Sequence, residues 1–257
     1  MGFTYAQSFL RSHITAQEHM MILEKSPEKA KELAMRQVGT VFGEPEFCVP
    51  KADLIILAVK PQDASNLFEH LRHLVHPQQV ILSIMAGVKI ATIAKALGVQ
   101  KIIRAMPNLP AQIGRGMTAF TSSDEVTRIE LVTVQNLLNT TGKTVYVANE
   151  SSIDGATAIS GSGPAYVWFF MKSLMEAAHE MGFSASESEL LVSQTFLGAI
   201  ELYNASNLSC EAWIERVCSK GGTTEAALKT YTENEVQLDI IRGAMAALQR
   251  AEALGQS

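Results

Sequence analysis

Cysteine is scarce in this chain. Its 257 residues include three, Cys48, Cys210 and Cys218, and their spacing suits neither a disulfide framework nor a metal site. Such usage fits a reducing, cytoplasmic setting. Long apolar runs are missing too. The longest, Leu54 to Val59 and Val80 to Val88 (interrupted by Ser83 and Gly87), fall far short of the roughly 20 residues of a membrane-spanning helix. There is no basic excess. The formal net charge is −5, which argues against a nucleic-acid partner, since that needs a basic face. The opening Met1 to Tyr5 lacks the charged and apolar regions of a secretory leader. Apolar sequence, by contrast, is plentiful: 47% of the residues are hydrophobic. That excludes a disordered chain and is enough for a core. At about 150 residues per domain, the length allows one large domain or two small ones.

Proline is absent from the last third. Seven of the eight prolines lie at or before Pro110, the eighth is Pro164, and the final 93 residues have none. A proline-free stretch rich in Ala, Leu, Glu and Met predicts helix. Charge divides at the same place. Residues 1–150 carry 15 basic and 13 acidic groups, whereas residues 151–257 carry 6 and 13. The expected organisation is therefore an α/β domain over 1–150 and an all-α domain over 151–257.

Within the first part, short apolar runs alternate with helical patterns. Met20 to Leu23, Asp53 to Val59, Val80 to Ile84 and Lys101 to Met106 read as strands. Ser26-Pro27 opens a helix, as cap and first helical residue. Continuous apolar strands between helices predict a parallel sheet buried on both faces, with ligands at the carboxyl ends of its strands. In the second part the helices are expected over Pro164–Met181, Glu187–Tyr203, Cys210–Cys218, Thr223–Tyr231 and Glu235–Leu254. Small residues recur along them, for example Ala244, Ala247 and Ala251. These suit close helix packing, including packing on a second copy.

Three segments follow strands and should converge on one rim: Ala58-Val59-Lys60-Pro61, Ile84-Met85-Ala86-Gly87 and Met106-Pro107-Asn108. Singly, each could be loop punctuation by Pro and Gly; together they favour a dinucleotide crevice. At the end of the first candidate strand, Glu24 suits the ribose hydroxyl of NAD, while Lys25 and Ser26 suit the 2′-phosphate of NADP. Ser160-Gly161-Ser162-Gly163, just before a helix, is either an anion site or a hinge. Ser219-Lys220-Gly221-Gly222-Thr223-Thr224 offers backbone N–H groups and two hydroxyls ahead of another helix. A carboxylate is its natural ligand; the plain alternative is a turn capped by Thr. His70, His73 and His76 sit three apart, so only adjacent pairs share a helix face. They read as a solvated helix end rather than a metal site, and no metal is expected.

Taken together, these motifs resemble the pyrroline-5-carboxylate reductase family. The carriers are Ala58–Pro61, Met85-Ala86-Gly87-Val88, Ile103–Asn108 with Pro110, Ile159–Tyr166 and Gly221–Thr224, in family order over almost the whole chain. The resemblance implies a Rossmann-like doubly wound domain followed by a helical domain that forms an intertwined homodimer, which can assemble into larger rings. It implies hydride transfer from NADPH, with NADH possible, to the cyclic imine, giving proline. It implies that Gly2, Lys25, Ser26, Ala58, Val59, Lys60, Pro61, Ile84, Met85, Ala86 and Asn108 surround the cofactor. Ser160, Gly221, Gly222, Thr223 and Thr224 would bind substrate. Thr224, near the imine nitrogen, is the catalytic candidate.

Two departures stand out. Lys220 replaces the usual proline. The amino terminus also aligns only with the end of the family's opening strand and Gly-X-Gly-Asn-Met-Gly turn, Met1-Gly2 matching its last two positions. In the strand order of a Rossmann sheet the missing strand is central, so its neighbours should be left unpaired. The expectation is that Met1 lies inside a longer gene product or that the chain is a compromised variant. An active reductase is the leading function. A non-catalytic relative of the same fold is the alternative, and a two-domain hydroxyacid-type dehydrogenase ranks last, because no lysine of the helical part sits in a convincing catalytic setting.

Overall fold

A computed structural model describes residues 1–255. The chain forms two compact units: Met1–Ser162 together with the segment from Ala247 onward, and Gly163–Ala246.

The first unit is α/β. It opens with α1 (Gly2–Arg11), which buries Tyr5 and Phe9. Then come β1 (Met21–Leu23), α2 (Pro27–Met35) and β2 (Thr40–Phe42). The start of α2 follows its sequence signal: Ser26 Oγ accepts the Lys29 N–H at 3.4 Å and Pro27 takes the first helical position. Next are β3 (Leu54–Leu57), α3 (Ala64–Leu71), β4 (Val80–Ser83), α4 (Ile90–Leu97), β5 (Ile102–Met106) and β6 (Gly116–Ser122). The unit continues with α5 (Arg128–Asn139), β7 (Gly142–Tyr146) and α6 (Ser151–Ala156), which runs into a π-helical turn at Thr157–Gly161.

Strands β3 to β7 form one sheet in chain order. All its pairs are parallel except β5–β6, in which Ile103 faces Ser122. The exception has a simple cause. Only nine residues join Met106 to Gly116, and a parallel return needs a crossover of a dozen or more. Gly116 pairs with Gly142, where a Cβ would collide with the Gly116 carbonyl. β6 and β7 are not among the strands expected from the sequence, and neither is β2.

Alternation along the strands divides the core in two. Ile81 and Ile102 pack on one face of the sheet with Leu57, Phe68, Leu71, Ile93 and Leu97. Val80, Leu82, Ile103 and Ala105 pack on the other with Tyr5, Phe9, Phe120 and Leu138. Burial of each large side chain contributes about 1.5–3 kcal/mol. Both faces are covered, which is why these strands read as unbroken apolar runs.

β1 and β2 pair only with each other, as a separate parallel two-stranded sheet. Between β1 and β3 lies a cavity of about 1060 Å3. Met21, Ile22 and Leu23 line one side and Leu54, Ile55 and Ile56 the other, with Tyr5 and Phe9 beside them. β1 and β3 thus line opposite sides of one cavity.

The second unit is helical. It contains α7 (Gly163–Glu180), α8 (Ala185–Asn204), α9 (Cys210–Val217), α10 (Thr223–Glu233) and the larger part of α11 (Val236–Leu254). These match the expected helices to within three residues at each end. α7 lies against α8, and α8 begins with a capping box between Ser184 and Glu187. Within a single chain this unit buries only Ser188 and Val192.

Candidate active site

The carboxyl ends of the strands form the rim that the sequence points to. Ala58, Val59, Lys60 and Pro61 follow β3; Ala58, Lys60 and Pro61 are exposed and Val59 is half-buried. Ile84, Met85 and Ala86 follow β4. Ile84 and Met85 are buried, while Ala86 is partly open. The Met85 N–H donates to Ser83 Oγ at 3.4 Å. Gly87 then turns the chain at φ +76°, and a Cβ there would meet the Leu254 backbone at 3.1 Å. Gly2, at the start of α1, lies against Ala58, where a Cβ would come within 3.0 Å of the Ala58 Cβ. The first-turn amides of α1 therefore open beside the end of β3.

Glu24, Lys25 and Ser26 follow the end of β1. Glu24 Oε1 accepts the Ser26 N–H at 2.9 Å, which ties the carboxylate to its own turn. Lys25 is exposed and makes no ion pair among the described residues. Ser26 Oγ donates to Glu28 Oε2 at 2.9 Å. Lys25 thus presents a cation suited to a phosphate, while the Ser26 hydroxyl proton is held by Glu28.

Behind the rim is an ion cluster to which sequence reasoning assigned no role. Arg104 on β5 is 1% exposed. Its Nη1 donates to Glu150 Oε1 at 3.1 Å and its Nη2 to Asp154 Oδ1 at 2.7 Å. Glu150 Oε1 also accepts the Ile90 N–H at 2.8 Å, which anchors the start of α4 after the loop at 84–88. The available signal was an arginine in an apolar strand, since a buried charge requires a partner. What sequence could not supply was the partner, 46 and 50 residues away.

Asn108 continues this connection. Its Nδ2 donates to the Ser160 carbonyl at 3.1 Å, and its Oδ1 accepts the Met117 N–H at 2.9 Å. Ser160 sits in the π-helical turn, and its Oγ is buried without a hydrogen-bond partner. A buried hydroxyl left unpaired is costly, and π-turns are common at functional sites.

In the helical unit the glycine turn joins α9 to α10. Gly221 adopts φ +73° and Gly222 caps α10. A Cβ on Gly222 would lie 2.6 Å from Ser219 Oγ, so the turn requires its glycine. The Gly222 N–H donates to the Ser219 carbonyl at 2.9 Å, and the Gly221 N–H donates to Glu225 Oε2 at 2.7 Å. A carboxylate already belongs to this turn. Thr223 is exposed and Thr224 half-buried. Thr224 lines an apolar pocket of about 280 Å3 with Trp213, Ile214, Val217 and Leu228. Lys220 is exposed. Among the described residues, no three His, Cys, Asp or Glu side chains are grouped to hold a metal.

Comparison with known proteins covers both units. Residues 150–254 match the family model for pyrroline-5-carboxylate reductase dimerisation. Residues 1–87 match the model for NADP oxidoreductases, coenzyme F420-dependent. A pyrroline-5-carboxylate reductase of Pseudomonas aeruginosa is 34% identical over 213 residues, covering 81% of this chain and 78% of that one. Pyrroline-5-carboxylate reductase 2 of Bacillus subtilis is 33% identical over 243 residues, covering 94% and 87%. Among solved structures, the reductase from Coxiella burnetii superposes with a TM-score of 0.90 at 27% identity, over 100% of this chain and 95% of that one. The Plasmodium falciparum enzyme, solved with NADP bound, gives 0.88 at 26% identity, over 99% and 94%.

Proposed function

The chain belongs to the pyrroline-5-carboxylate reductase family, and from that premise we propose how its own residues carry the reaction. The protein is an oxidoreductase that uses NADPH to reduce the cyclic imine pyrroline-5-carboxylate to proline, and it acts as a homodimer. What carries this reading is the match to reductases along nearly the whole chain.

The first unit fits the cofactor. Lys25 presents the cation that suits a 2′-phosphate, the Ser26 hydroxyl joins it by leaving Glu28, and the Glu24 carboxylate is turned onto the Ser26 N–H. Gly2 and the first turn of α1 offer amides to the phosphates. Ala58–Pro61 and Ile84–Ala86 hold the nicotinamide end. When bound, the reduced nicotinamide supplies the hydride that goes to the imine carbon.

The glycine turn takes the substrate carboxylate through the N–H groups of Gly221, Gly222 and Thr223. To reach the Gly221 N–H, the substrate displaces Glu225, exchanging one carboxylate for another. The Thr224 hydroxyl orients the imine nitrogen, and Ser160 contributes its unpaired hydroxyl to substrate binding. An iminium is already electrophilic, so positioning supplies most of the rate enhancement and no histidine–carboxylate pair is required. NADPH is the preferred reductant and NADH the weaker one. The site of action is the cytoplasm, and dimers associate into larger rings.

The test is a steady-state assay of pyrroline-5-carboxylate reduction with NADPH and NADH, paired with light scattering. Imine-dependent oxidation of NADPH supports the proposal. Its absence with both cofactors would overturn the assigned activity.

A further inference from the structure

β5 is a register as well as a core strand. Its odd residues, Ile103 and Ala105, point into the core beside α1 and α5. Alternate positions point the other way, and Asn108 keeps the extended conformation with φ −121° and ψ 170°. The phase set by the strand therefore persists past Pro107. Arg104, Met106 and Asn108 form a stripe along one face.

All three engage the segment from Glu150 to Gly161. Arg104 pairs with Glu150 and Asp154. The tip of Met106 packs on Gly161, where a Cβ would lie 3.0 Å from Met106 Cε. Asn108 donates to the Ser160 carbonyl and is itself held by the Met117 N–H. The Ser160 carbonyl cannot draw on the usual α-helical donor. Four residues on, where a helix would provide an N–H, stands Pro164, which has none. Both ends of the Asn108 amide are thus occupied by the protein, and they link β6 to the π-turn.

We propose that Asn108 is a positioning residue for imine binding: its amide fixes the π-turn that carries Ser160 and does not bind the cofactor. This rests on the assignment of Ser160 to the substrate. Asn108→Asp isolates the key bond. The aspartate still accepts from Met117 but turns an oxygen toward the Ser160 carbonyl in place of the donor. Displacement of a reacting group by a fraction of an ångström to 1 Å costs roughly tenfold to a hundredfold.

The experiment measures imine KM and kcat at saturating NADPH, NADPH affinity by fluorescence without substrate, and amide exchange over residues 157–162. The expected result for Asn108→Asp is a rise of roughly tenfold in imine KM, NADPH affinity within about twofold, and faster exchange in the turn. An unchanged imine KM would overturn the proposal. So would weakened NADPH affinity at constant imine KM, which would make Asn108 a cofactor contact. If Asn108→Asp does not fold, Asn108→Ala, which adds no charge, is read against the same outcomes. Ser160→Ala separates the underlying assignment: if it leaves imine KM unchanged while Asn108→Asp raises it, the role given to Ser160 fails and the role of Asn108 stands.

Discussion

The two units bury their apolar residues very differently. In the α/β unit, Ile81, Leu82, Ile93, Ile102, Ile103 and Leu138 have essentially no exposure within one chain. The helical unit leaves Phe169 at 66%, Leu190 at 68% and Ile200 at 59%. Monomers rarely expose apolar surface on that scale. A sheet covered on both faces can complete its own core, whereas this group of helices is completed by another copy. The cofactor half is thus a single-chain structure, and the half holding the glycine turn depends on assembly.

The largest expected effect separates these halves. Ile200→Asp on α8 places a charge on the exposed apolar face and should abolish the dimer, with activity falling by roughly a hundredfold or more. Ile129→Asp on α5 is the control. Ile129 is 80% exposed, yet it lies in the self-sufficient unit, so its replacement should change stability by no more than about 0.5 kcal/mol. Sedimentation velocity reads the first and thermal melts the second. A dimer that survives Ile200→Asp would break the comparison. The converse test is Asp154→Ala. It strips one carboxylate from buried Arg104 and should cost about 3–5 kcal/mol in urea unfolding without changing oligomeric state.

A smaller effect is expected in the turn. Thr224→Ala should lower turnover roughly tenfold or more, with NADPH affinity unaltered, because Thr224 belongs to the helical unit and the proposed cofactor residues to the other. Unchanged turnover would remove Thr224 from the mechanism.

How much of this was readable in advance depended on what each residue touches. The helical unit was readable almost throughout: Pro164 and Gly182 punctuate it, and its pattern is local. β3, β4 and β5 were readable because burial on both faces makes them continuously apolar. β6 was not, since it carries Thr118 and Thr121 inward, and β7 alternates with Lys143 and Thr144 as a half-exposed edge. The rim loops and the glycine turn showed themselves through glycine and proline. Their partners did not, because Arg104 with Asp154, Asn108 with Ser160 and Gly221 with Glu225 are tertiary choices. Gly221 is the clearest case: glycine signals a free amide, but only the fold shows a carboxylate already on it.

The smallest expected effect is also the most direct comparison, since each unit carries one complete capping box. In the α/β unit Thr127 and Glu130 open α5, and in the helical unit Ser184 and Glu187 open α8. Thr127→Ala and Ser184→Ala each remove one cap, worth about 1 kcal/mol. The chemistry is matched and the surroundings are not. In calorimetry, Thr127→Ala should shift a transition that is independent of protein concentration. Ser184→Ala should shift one that moves with concentration, as unfolding coupled to dissociation requires. The two glutamates share an acid dependence. The Glu130 carboxyl is held below its ordinary value of 4.5, first by Lys101, and the Glu187 carboxyl first by Ser184. A depressed carboxylate contributes above its unfolded value and loses that contribution as pH falls through the folded one. Both cap effects should therefore shrink in acid. A single transition that moves with concentration for both variants would show that the α/β unit also needs the partner copy.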